Sequence, residues 1–161
     1  MPVSVGQAVP DFRAPATGGE LHLAALRGQA VVIYFYPKDN TPGCTTEGAD
    51  FAQAHAAFVG ANTVVLGLSR DSLRSHEGFK TKLGLPFELI SDADEAVCTL
   101  FDVMKMKNMY GKQVRGVERS TFLIAPDGTL VREWRGVKVP GHVQEVLAAA
   151  QALHGTSPGA R

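Results

Sequence analysis

Cysteine is scarce in this chain: Cys44 and Cys98 are the two thiols among 161 residues. That is too few for a disulfide framework, so a stapled extracellular scaffold is not expected. Net charge is missing as well. Sixteen Lys and Arg against sixteen Asp and Glu leave a formal balance of zero, which removes the global field that would gather nucleic acid or an anionic membrane. No apolar run is long enough to span a bilayer, and Met1 to Gly18 has no basic start followed by an apolar stretch. A soluble, unexported, cytoplasmic protein is expected, in a reducing compartment where a cysteine is either buried filler or a reagent. His22, His55, His76, His142 and His154 lie scattered without ligand spacing or a cysteine beside them, so neither a metal nor a cofactor is implied. With the aromatics confined to strand patterns, nucleic acid and membrane are both dropped as partners.

What the chain has is enough apolar material for a core. Hydrophobic residues make up 45% of it, and its length suits one compact unit, expected over 1–154 with a frayed tail at 155–161. Val3 to Pro15, punctuated by prolines, suits an edge strand and turns. Gly18-Gly19 then leads into Glu20-Leu21-His22-Leu23, which alternates as a second short strand would, giving an N-terminal hairpin. Val31 to Tyr36 reads as a buried central strand. Thr63 to Leu68 is a second β-branched run, a helix is expected over Leu73 to Leu83, and Phe87 to Ile90 alternates before a helix carrying Val97, Cys98 and Phe101. Met104 to Arg115 reads as a solvated basic loop. Thr121 to Ile124 and Leu130 to Trp134 flank a turn, and Val143 to Leu153 is a last amphipathic helix. Strands and helices alternating in this way, then a hairpin and a helix, imply a central mixed α/β sheet with helices on both faces.

The chemistry concentrates between Pro37 and Glu47. Thr41 reads as the N-cap of a helix, Pro42 stands at its first position, where a missing N–H costs nothing, and Gly43 removes bulk beside Cys44. Phe51, His55 and Phe58 continue at helical spacing until Gly60. Cys44 therefore falls in a first helical turn, where free amides and the helix dipole favour a thiolate. Taken alone, a cysteine there is more often packing than catalysis.

Two separated segments change that balance. Pro37-x-x-x-Thr41-x-x-Cys44, within Tyr34-Phe35-Tyr36-Pro37-Lys38 and Thr41-Pro42-Gly43-Cys44-Thr45, resembles the signature of the peroxiredoxins, in particular the bacterioferritin-comigratory or peroxiredoxin Q subgroup. Met109-Tyr110-Gly111-Lys112, Gly116 and Glu118-Arg119-Ser120-Thr121-Phe122-Leu123-Ile124 resemble that subgroup's later segment. The resemblance implies a thioredoxin-like fold with an N-terminal extension and thiol-dependent reduction of hydrogen peroxide and organic hydroperoxides. It implies Cys44 as nucleophile, Thr41 and Arg119 as the other catalytic residues, and Pro37, Gly43 and Glu47 around the substrate. Glu47 matches the family's acidic position and would hold Arg119 in orientation, although a glutamate in an exposed helical turn ordinarily faces water. The subgroup also suggests a monomer.

The regenerating half of the cycle departs from the subgroup. Many members carry a second cysteine five residues after the first, where this chain has Ala49; others carry it on the next helix, where this chain has Lys80, Thr81 and no cysteine. Only Cys98 remains, on an apolar helix face. A one-cysteine cycle is therefore expected, with thioredoxin, glutaredoxin with glutathione, or a small thiol attacking the Cys44 sulfenic acid. The competing cycle is a Cys44–Cys98 disulfide. Two further readings stay open: a thioredoxin-type disulfide oxidoreductase, which would normally have cysteine where Thr41 stands, and a non-enzymatic holdase with an inert Cys44.

Overall fold

The computed structural model describes residues 3–156. Its centre is strand β3 (Ala30–Phe35), buried along its whole length. The run is β-branched and aromatic because both of its faces are covered. Val31, Ile33 and Phe35 point into one core, while Ala30, Val32, Tyr34 and Tyr36 point into the other. On one side β3 pairs in parallel with β4 (Thr63–Ser69), and β4 with β5 (Glu88–Ser91). On its other side it pairs antiparallel with β8 (Ser120–Ile124), which turns back into β9 (Leu130–Arg135).

The N-terminal hairpin of β1 (Arg13–Ala16) and β2 (Gly19–His22) attaches along β5, giving a seven-stranded mixed sheet of order β2-β1-β5-β4-β3-β8-β9. A 3-10 turn at Leu23–Leu26 follows, as the Leu-Ala-Ala-Leu stretch ahead of Gly28 suggests. Three helices cover the Tyr34 face: α1 (Pro42–Gly60) through Phe51 and Phe58, α2 (Leu73–Leu83) through Phe79, and α4 (His142–Thr156) through Val143, Val146 and Ala150. The Phe35 face is covered by the short α3 (Ala96–Leu100), by Phe101 and by the N-terminal segment from Val3 to Val9. The expected mixed α/β sheet with helices on both faces is present, with unequal cover.

Three local expectations need correction. Met104 to Arg115 is not a loop: β6 (Met104–Met109) and β7 (Lys112–Val117) form a separate two-stranded sheet. Its turn, Tyr110-Gly111, has positive φ at both residues, the geometry that a two-residue hairpin loop requires. The helix carrying Val97 and Cys98 is a little over one turn: Asp92 accepts from the amides of Val97 and Cys98 at its start, and Phe101, expected within it, stands at its C-cap. Finally, α4 runs from His142 to Thr156, beyond the Leu153 at which the helix was expected to end, and the rest of the tail lies outside the described residues.

Candidate active site

The end of β3 and the start of α1 meet across a short, strained connection. Tyr36 still bonds the sheet, its amide donating to Leu68 O at 3.0 Å, before half-buried Pro37 ends the ladder. Asn40 adopts φ +63°, a left-handed conformation that asparagine tolerates better than most residues. Thr41 occupies the N-cap position, as its sequence context suggests, but its hydroxyl caps nothing. It donates instead to Lys38 O at 2.8 Å, folding the connection on itself. The Thr45 amide donates a hydrogen bond to Thr41 O at 2.9 Å, which closes the first turn of α1 around Cys44.

Cys44 is 1% exposed and sits in the core that contains Tyr34 and Phe51. Arg119, in the two-residue step between β7 and β8, reaches it from the opposite side. Nη2 lies 3.5 Å from the Cys44 sulfur, while Nη1 donates to Glu47 Oε1 at 2.6 Å. One guanidinium thus bridges the sulfur and a carboxylate one turn further along α1. Gly43 makes the approach possible, because a Cβ at that position would stand 3.1 Å from Nη2. The neighbouring negative groups push the Arg119 pKa upward against its burial.

Glu47 departs from the solvated glutamate that its helical position suggests. It is fully buried, its Oε2 has no hydrogen-bond partner, and burial raises its pKa from 4.5 to about 7 despite the pull of Arg119. The amphipathic pattern hid this, because the buried stripe of α1 runs through Cys44, Glu47, Gly48 and Phe51. Lys107 on β6 adds a further cation beside the site. Its ammonium donates to Val117 O at 2.7 Å, and burial, with Arg119 nearby, lowers its pKa while Cys44 pulls the other way.

A polar cluster that no sequence spacing signals lies behind the connection. The Asp39 carboxylate accepts from Tyr36 Oη at 2.6 Å, from Ser75 Oγ at 2.8 Å and from His76 Nδ1 at 2.7 Å. The Asp39 amide donates to Asp71 Oδ2 at 2.9 Å. Asp39, Asp71 and His76 bring ligand-type atoms within 4.8 Å of one another, so the histidines are not all as isolated as their spacing suggests. Asp39 and His76 bond each other, and Asp71 Oδ2 also accepts from Ser69 Oγ at 2.5 Å.

Cys98 belongs to a different environment. It is fully buried on the Phe35 face, in the core opposite the one that holds Cys44. Desolvation and the adjacent Asp92 carboxylate both push its pKa upward. The fold therefore brings Pro37, Thr41, Gly43, Cys44, Glu47 and Arg119 together beyond the C-terminal end of the central strand β3 and leaves Cys98 beneath the other face of the sheet.

Residues 5–133 match the model of the AhpC/TSA family. A peroxiredoxin Bcp of Xanthomonas campestris is 57% identical over 135 residues, 84% of each chain. One from Bacillus subtilis is 46% identical over 148 residues, 91% of this chain and 94% of the relative. A solved structure of the Xanthomonas campestris bacterioferritin comigratory protein, concerned with that protein's alkyl peroxide reduction activity, superposes with a TM-score of 0.87 at 52% identity. It covers 94% of this chain and 98% of the other.

Proposed function

The chain belongs to the AhpC/TSA family and within it to the Bcp peroxiredoxins, thiol-dependent peroxidases; on that premise we propose that Cys44 is the peroxide-reducing thiol and that an external thiol regenerates it. The observation that carries the reading is the Arg119 guanidinium held between the Cys44 sulfur and the Glu47 carboxylate.

The Cys44 thiolate attacks the nearer oxygen of ROOH, forming an S–O bond as the O–O bond breaks. The sulfur is oxidised to a sulfenic acid and the departing RO⁻ takes a proton to leave as ROH. Arg119 supplies fixed positive charge, which favours the thiolate before attack and stabilises the developing oxyanion during it. Thr41, its hydroxyl hydrogen committed to Lys38 O, offers oxygen lone pairs to a peroxide O–H. The Gly43 and Cys44 amides are free donors at the helix start, and Pro37 shapes the rim that excludes water. Glu47 acts through Arg119, keeping its guanidinium planar to the site.

Hydrogen peroxide and organic hydroperoxides are the substrates. The sulfenic acid is then attacked by a thiol, which forms a mixed disulfide and releases water, and a second thiol frees Cys44. Thioredoxin, glutaredoxin with glutathione, or a small thiol fits that role in the cytoplasm, with the chain acting as a monomer. The two-cysteine cycle through Cys98 is disfavoured because a disulfide needs Cα atoms roughly 4.4 to 6.8 Å apart, and the two thiols occupy opposite cores. The test is intact mass after one equivalent of hydrogen peroxide with a dimedone trap. The expected product is one adduct, on Cys44. A Cys44–Cys98 bridge refutes the one-cysteine cycle, and an unmodified Cys44 refutes the peroxidase assignment.

A further inference from the structure

We propose that His76 and Asp39 form a positioning latch that fixes the connection carrying Thr41 and Cys44 from behind, so that two residues remote from the peroxide control how well Cys44 is aimed. The inference rests on the peroxidase reading above.

The pair is wholly enclosed, with side chains 0% and 1% exposed and Nδ1 2.7 Å from Oδ2. The second ring nitrogen of His76 lies 2.9 Å from Ile90 O. The ring therefore spans from β5 to the connection and ties the two together. Three donors and one acceptor converge on Asp39, from Tyr36, Ser75, His76 and Asp71. These reach it from the end of β3, from α2 and from the residues after β4. Asp39 stands two residues before Thr41 and five before Cys44.

The bonds between Asp39 and Cys44 make the coupling concrete. Thr41 Oγ1 to Lys38 O and Thr45 amide to Thr41 O connect the anchored segment to the first turn of α1. A buried contact between ionisable groups is poor evidence for net stability, yet it enforces one arrangement, because a displaced Asp39 would leave a carboxylate in the core without donors. None of these groups touches the sulfur; the latch acts through backbone placement.

The experiment compares wild type, His76→Leu, His76→Asn, Tyr36→Phe and Ser75→Ala. Two reactions are measured: hydrogen peroxide turnover with dithiothreitol as reductant, and alkylation of Cys44 by iodoacetamide. Alkylation needs an available sulfur but no aimed donors, so the two readouts separate aiming from folding. His76→Leu should lower kcat/KM for peroxide by about 30-fold, within the range that a misplacement of about 1 Å produces, while alkylation holds or quickens. His76→Asn, which can still donate to Asp39, should recover most of the loss. Tyr36→Phe and Ser75→Ala, which each remove one donor from Asp39, should give smaller losses in the same direction. They decide the matter if His76→Leu does not fold. Unchanged peroxide turnover in the folded variants, or peroxide and alkylation rates falling together, overturns the latch. Absence of Cys44 oxidation in wild type overturns the peroxidase assignment instead.

Discussion

The consequences separate most sharply at single residues. Cys44→Ser should abolish peroxide turnover in a coupled assay, whereas Cys98→Ser should retain most of it, because the second thiol lies in the other core and is held protonated by burial and Asp92. Glu47 makes a prediction with a direction in pH. Its carboxyl keeps a proton up to about pH 7 in the folded chain, against 4.5 as its ordinary value. Its contribution to stability is therefore complete below about 4.5 and is lost as pH rises through about 7. Urea midpoints across that window should fall for wild type and fall less steeply for Glu47→Gln. Above about pH 7, where Glu47 is ionised, the same variant should lower kcat/KM by about 10-fold, since a neutral amide holds the guanidinium less firmly than a carboxylate. Cys44 and Arg119 were singled out in the sequence because the residues around each resemble the family's two segments, and the fold sets them 3.5 Å apart. The fit of Glu47 under Arg119 was legible only through the family resemblance. The Asp39–His76 contact was not legible at all, since it joins residues 37 positions apart whose types carry no periodic signal.

Secondary-structure elements set how closely side chains can approach. In α1, Gly43→Ala would press a methyl group to 3.1 Å from Arg119 Nη2. Peroxide turnover should drop several-fold with thermal stability nearly unchanged, because α1 itself favours alanine over glycine. In β4, Gly67 lies under Tyr34, and a Cβ there would fall 2.7 Å from Leu89 Cδ2 and 2.9 Å from the Tyr34 hydroxyl. Gly67→Ala should cost about 1–3 kcal/mol by overpacking, read as a lowered denaturation midpoint. Most elements could be anticipated from β-branched runs, glycine stops and capping residues, and α2 matches its expected limits because Ser72 caps it and Gly84 adopts the left-handed conformation that ends it. The β6–β7 hairpin was missed for a physical reason. Its strand Met-Lys-Met-Lys-Asn-Met does alternate, but methionine, lysine and asparagine are weak strand formers, and the pairing with β7 compensates for what local preference lacks.

For the molecule as a whole, the seven-stranded sheet is a partition with a thiol on each side. Peroxide-treated protein should therefore run as a single reduced-like species on a non-reducing gel, and a faster-migrating intramolecular disulfide form would contradict that. The partition also gives the protein an internal counter for its own opening. An electrophilic dye offered to the chain would attach first at the helix start, when the rim over Cys44 opens locally, while the thiol sealed behind Asp92 stays silent until the whole sheet comes apart. The interval between first and second label would then time global unfolding in unmodified wild-type protein.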